Sequence, residues 1–148
     1  MMNYMGPSRI VTSREPSLTG HHRPIDLVLV DDDDDFREAA SGELEDLGFS
    51  VRSFADGADM LAAFARGMHA DVIVLDWYMP AMMGIDVLAH ARRAGNWLPV
   101  VFLTGHSAAG LKEVALKGGA VDFIDKTGGI PSLAERLHAL LESSKVTS

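Results

Sequence analysis

The sequence predicts an α/β fold, a doubly wound five-stranded parallel sheet in a single domain. Three observations carry that prediction. Five short apolar runs alternate along the chain with five longer stretches of helical periodicity, most of them closed by glycine. The runs of strands one, three and four are continuously apolar over 27–30, 72–75 and 100–103 instead of alternating, as strands are when both faces of a sheet are covered. With 148 residues, 47% of them hydrophobic, the chain has material for one core.

The elements follow in order. Residues 1–24 mix Pro, Ser, Thr, Gly and Arg with no apolar period and are expected to form a disordered extension, in which His21 and His22 read as solvated. Residues 25–30 make the first strand. A helix should start within the aspartate run and cover 36–47, with Phe36, Ala40, Leu44 and Leu47 on one face and Gly48 as its stop. Asp33, Asp34 and Asp35 then lie over its N-terminus, where unpaired N–H groups favour negative charge. Residues 51–54 make strand two. Residues 56–66 make helix two, with Met60, Leu61 and Phe64 inward.

Strand three, residues 72–75, runs into Asp76 and a loop at Pro80. Helix three covers 85–94, strand four 100–103, and helix four 108–117, with Leu111, Val114 and Ala115 as its buried stripe. Strand five, 122–124, leads to Lys126. Helix five should begin at Ser132, which has capping-box spacing to Glu135, and bury Leu133, Leu137, Leu140 and Leu141. The folded domain is expected over 25–142, with 143–148 as a polar tail.

Right-handed crossovers leave few topologies for such a chain, and the flavodoxin-like order 2-1-3-4-5 is the candidate at this size. Its switch point lies between strands one and three, and ligands bind there at the carboxyl ends. The residues at those ends are Asp31 and Asp32, Asp76, Thr104 and Lys126. Three carboxylates held together repel unless a cation neutralises them. Hard oxygen donors without nearby His or Cys select Mg2+ or Mn2+ over Zn2+. With a Lys ammonium and a Thr hydroxyl beside them, they are the equipment of phosphoryl transfer, in which an Asp can be the nucleophile. Taken singly, each residue has a plainer reading: Asp76 as a cap or ion-pair partner, Thr104 as a strand end, Lys126 as a solvated charge.

The motifs in order, VDD at residues 30–32 with Arg37 downstream, LDWYMP at 75–80, LTG at 103–105 and FIDK ending at Lys126, resemble the receiver domain of two-component response regulators. The resemblance covers about residues 25–141. It implies a phosphoacceptor at Asp76, with Asp32 and Asp76 as direct Mg2+ ligands, Asp31 acting mainly through water and the Tyr78 carbonyl completing the protein's share. It also implies that Lys126 contacts the phosphoryl group, that Thr104 swings to bond it, and that Phe123, the aromatic switch position, turns inward in response. A repacked face of helix four, strand five and helix five would then be read by a downstream protein effector or pair into a homodimer. The implied donor is the phosphohistidine of a histidine kinase or histidine phosphotransfer protein. Such a protein catalyses its own phosphorylation and dephosphorylation without being a turnover enzyme.

Two positions depart from the family pattern. Thr127 stands where Pro is usual, often after a cis bond. A cis bond before Thr is costly, so the Lys126 loop should be looser or differently shaped. Met83 stands where an acidic residue is common, with no catalytic consequence.

Composition excludes other classes. The net charge of -8 suits neither nucleic acid nor an anionic surface, no cysteine is present, and no apolar run reaches the length of a membrane span. A cytoplasmic protein is the expectation. A haloacid-dehalogenase-type phosphohydrolase would need Thr or Val where Asp35 stands and a late acidic pair. An EF-hand fails because Phe36 replaces the turn glycine and Gly42 the bidentate Glu. A receiver-like module that binds partners without being phosphorylated is the remaining alternative. Tyr78 and His106, two residues beyond Asp76 and Thr104, should border the phosphoryl group and control its hydrolytic water. Tyr78→Ala or His106→Ala is expected to change the phosphate lifetime, and unchanged dephosphorylation rates in both variants would refute this.

Overall fold

The five runs become the strands of one sheet in the structure, a computed structural model that describes residues 23–105 and 109–147. They are β1 (Ile25–Val30), β2 (Phe49–Phe54), β3 (Val72–Leu75), β4 (Val100–Thr104) and β5 (Asp122–Asp125). All pairings are parallel and the order is β2-β1-β3-β4-β5, the doubly wound arrangement that the sequence predicts.

Alternation along the strands divides the core in two. Val28, Val30, Ile73, Leu75, Val100 and Phe102 face Met60 of α2 (Gly57–Ala65), Val87 and Leu88 of α3 (Gly84–Arg93) and Ala115 of α4 (Leu111–Lys117). Leu27, Leu29, Val72, Val74, Val101 and Leu103 face Ala40 and Leu44 of α1 (Asp34–Asp46) and Leu133 and Leu137 of α5 (Ile130–Thr147). With both faces covered, every residue of β3 and β4 is buried. No described helix is long and apolar enough to cross a membrane.

Local chemistry sets the helix starts. The Asp33 side chain accepts the Phe36 N–H at 3.1 Å and opens α1, and Asp56 accepts the Asp59 N–H at 2.8 Å and opens α2. Other expectations are corrected. Leu47 is the residue after the last turn of α1 and stays exposed at 40% instead of joining the buried face. In α4 the inner line is Leu111 and Ala115, four residues apart. Val114 lies about 100° round the helix from Ala115 and is 50% exposed. The expected start of that helix at Ala108 lies outside the described residues.

Helix α5 begins at Ile130, ahead of the predicted Ser132. Gly129 turns the chain at φ +86°, its carbonyl accepts the Leu133 N–H at 3.3 Å, and Pro131 sits in the first turn, where its missing N–H costs nothing. The helix also continues to Thr147, past the end expected at Glu142. No Gly or Pro interrupts residues 143–147, so each adds one bond to a helix already nucleated and docked.

Two glycines differ in what an added methyl meets. At Gly42, inside α1, nothing lies within 4 Å. At Gly84, whose N–H donates to the Trp77 carbonyl at 2.9 Å, a Cβ would collide with the Asp76 carbonyl oxygen and lie 2.7 Å from the Phe102 ring. Gly42→Ala should therefore stabilise the protein by about 0.5–1 kcal/mol. Gly84→Ala should destabilise it by roughly 1–3 kcal/mol. Urea unfolding of the two variants beside the parent checks both signs.

Candidate functional site

Register delivers the site. Val30 pairs with Leu75, so the chain leaves β1 and β3 side by side, and the Asp76 N–H still bonds the Val30 carbonyl at 3.0 Å. Asp31 is fully buried at 1% exposure. Its Oδ1 accepts the Asp33 N–H at 2.9 Å, and its backbone carbonyl accepts an Arg37 guanidinium N–H at 2.7 Å. The other Arg37 nitrogen pairs with Asp34 at 2.6 Å, which ties the first turn of α1 to the strand end.

Oxygens of Asp31, Asp32 and Asp76 lie within 4.8 Å of one another, the only such acidic group among the described residues. Lys126, arriving from β5, sets its Nζ 2.7 Å from Asp31 Oδ2 and 3.9 Å from Asp76 Oδ2. Four of the residues expected at the rim are thus in one cluster. Asp76 is itself buried, and that burial, reinforced by the Asp31 charge, pushes its carboxyl from an ordinary 3.8 up to about 6. Lys126 and a backbone hydrogen bond from Tyr78 oppose the rise, and Asp32 adds to it slightly. Crowded hard oxygens with more negative charge than one ammonium balances are a donor set suited to a divalent cation such as Mg2+.

Thr104 closes β4, fully buried and paired in register with Asp125. Phe123 lies inward, edge-on to Trp77 at 5.6 Å and 72°, and Trp77 meets Phe102 in the same way at 4.9 Å and 70°. Tyr78, two residues beyond Asp76, is 43% exposed. His106 lies outside the described residues, as does the extension through residue 22.

Lys126–Gly128 forms a single 3-10 turn, which answers the question raised by Thr127. Asp125 Oδ1 accepts both the Thr127 N–H at 2.8 Å and its hydroxyl at 2.7 Å, and no cis peptide occurs among the described residues. These two bonds hold the loop. An Asp two residues before a Thr is the pattern of such a side-chain turn, and it was legible in the sequence. One neighbour was not: the Phe36 ring lies 4.2 Å from Lys126 Nζ. Helical spacing identifies Phe36 only as a core residue.

Fold and rim together define a class, a doubly wound α/β protein with an acidic, lysine-bearing pocket at its switch point. The chain belongs to the response regulator receiver domain family, whose family model matches residues 27–138. It is 39% identical over 120 residues to the tetrathionate response regulatory protein TtrR of Salmonella typhimurium, covering 81% of this chain and 56% of that protein. It is 35% identical over 126 residues to the probable transcriptional regulatory protein TcrX of Mycobacterium tuberculosis, covering 85% of this chain and 53% of the relative. The chain thus spans about half the length of the curated relatives it matches. Among solved structures, it resembles the Francisella response regulator 1452 receiver domain with a TM-score of 0.74 and 28% identity, over 81% of this chain and 98% of the other. The chemotaxis protein CheY4 of Vibrio cholerae matches with a TM-score of 0.72 and 28% identity, over 78% and 98%.

The raised Asp76 carboxyl has a pH signature. A folded-state value above the unfolded one means that the native protein binds the extra proton, so in metal-free protein stability falls as pH rises through the window from about 3.8 to about 6. Asp76→Asn, which cannot ionise, should melt above the parent at pH 7 without divalent ions and converge with it near the bottom of that window. Parallel melting curves across the whole range would contradict this.

Proposed function

We propose that this receiver accepts a phosphoryl group on Asp76 from the phosphohistidine of a sensor kinase or histidine phosphotransfer protein, in a Mg2+-dependent reaction. A carboxylate oxygen attacks phosphorus, the P–N bond breaks, and the imidazole leaves with the electron pair and takes up a proton. One observation carries the reading: a buried strand-end carboxylate shares its pocket with two more carboxylates and an ammonium 3.9 Å away.

Asp31, Asp32, Asp76 and the Tyr78 carbonyl are the residues we assign to the cation, for which Mn2+ can substitute. When bound, it supplies charge neutralisation for the incoming phosphoryl oxygens. Lys126 supplies the second positive charge, and the Thr104 hydroxyl the hydrogen bond that follows transfer. Tyr78 and His106 are the residues we assign to control of the water that later hydrolyses the acyl phosphate. Phe123 reports the change to the α4–β5–α5 face, where Val114 and Leu116, with Val121 just before β5, are exposed apolar groups that suit a protein effector or a second copy of the chain. An acidic protein signalling in this way works in the cytoplasm through protein contact, without binding nucleic acid itself.

Intact mass after incubation with Mg2+ and a small-molecule phosphodonor should show one phosphoryl adduct, lost on chelation and absent in Asp76→Asn. If no adduct forms even with candidate kinases present, the chain is an unphosphorylated interaction module instead.

A further inference from the structure

Lys126 opens a 3-10 turn in which Thr127, and no proline, follows it. Its side chain is held at both ends. At the backbone, the Asp125 carboxylate caps the 3-10 turn by accepting two hydrogen bonds from Thr127. At the tip, the ammonium lies 2.7 Å from Asp31 and 4.2 Å from the centre of the Phe36 ring, within the range of a cation–π contact.

Those two partners at the tip are not equivalent. Asp31 is one of the three clustered carboxylates, so any cation bound there shares its charge and weakens its hold on the ammonium. Phe36 attracts the ammonium through its ring quadrupole, carries no net charge, and offers no ligand atom that a metal would take. Its place is well determined, since the Phe36 N–H is bonded to the Asp33 cap and Arg37 ties the same turn to the Asp31 carbonyl. The ring also packs against the α1–α5 side of the core, which stops it from turning away.

We propose that Phe36 is a positioning residue for Lys126: its ring face keeps the ammonium beside Asp76 when Asp31 is engaged elsewhere. The role in transfer rests on the reading of Asp76 as the phosphoacceptor. The contact itself does not. An apolar residue of similar bulk preserves the packing and loses the quadrupole, so Phe36→Leu separates positioning from structure, and Phe36→Tyr keeps both.

The test is run on the full chain. With Mg2+ and a small-molecule phosphodonor, the maximal phosphorylation rate of Phe36→Leu should fall by roughly three- to tenfold, while Phe36→Tyr stays near the parent. Mg2+ affinity, read from the fluorescence of buried Trp77, should be the same in all three. The ε-methylene protons of Lys126, followed by NMR without metal or donor, should show an upfield ring-current shift in the parent and in Phe36→Tyr that disappears in Phe36→Leu. Equal maximal rates in Phe36→Leu and the parent would overturn the proposal, and so would an unshifted Lys126 methylene in the parent. If the parent takes no phosphoryl group, the Asp76 reading fails, and the NMR shift still decides whether Phe36 holds the lysine.

Discussion

The Lys126 ammonium wedged against Asp31 at 2.7 Å is the contact on which the acidic rim depends. Three carboxylates have been brought within 4.8 Å of one another, two of them largely removed from water, and one ammonium cannot neutralise them all. Burial first, and that excess of negative charge second, raise the proton affinity of Asp76. A site in this condition is poised for cations and for groups that carry their own counterion, because each added positive charge relieves repulsion already present. The cost of crowding is borne by the parallel sheet, whose fully buried central strands leave the rim little freedom to spread.

Beneath the rim, close packing connects Asp76 to the far side of the sheet. Gly84 brings α3 against the Asp76 carbonyl so closely that no side chain fits between them. Trp77, the next residue along, is buried and meets Phe102 and Phe123 edge-on. Phe123 belongs to β5 and Thr104 to β4, and the chain between those strands carries exposed apolar groups at Val114 and Leu116 of α4 and at Val121. A change of charge at Asp76 is therefore applied to a close-packed aromatic cluster, which responds by discrete repacking more readily than by smooth deformation.

Much of this was legible in the sequence for a simple reason. A parallel strand buried on both faces is apolar where it is covered, so Asp31, Asp76 and Thr104 stood out as the first polar residues after such runs, and Lys126 as the cation two residues beyond Ile124. Helix interiors were harder. Val114 looks like core because it is apolar and three residues from Leu111, yet four-residue spacing to Ala115 is what faces the sheet. The start of α5 was misplaced because a capping-box pattern at Ser132 competed with a glycine turn and a first-turn proline, and the backbone solution upstream won.

By itself, then, the sequence narrowed the strand order to a few topologies and marked which residues stand at the strand ends, since periodicity and right-handed crossovers constrain where each strand end emerges. Only the tertiary structure decided the distances: that Lys126 lies nearer Asp31 than Asp76, that the Phe36 ring covers the ammonium, and that Phe123 packs inward on Trp77. These contacts join residues from α1, β3 and β5 that are far apart along the chain. Side-chain geometry across such separations is set by how the helices pack on the sheet, and no local pattern encodes it.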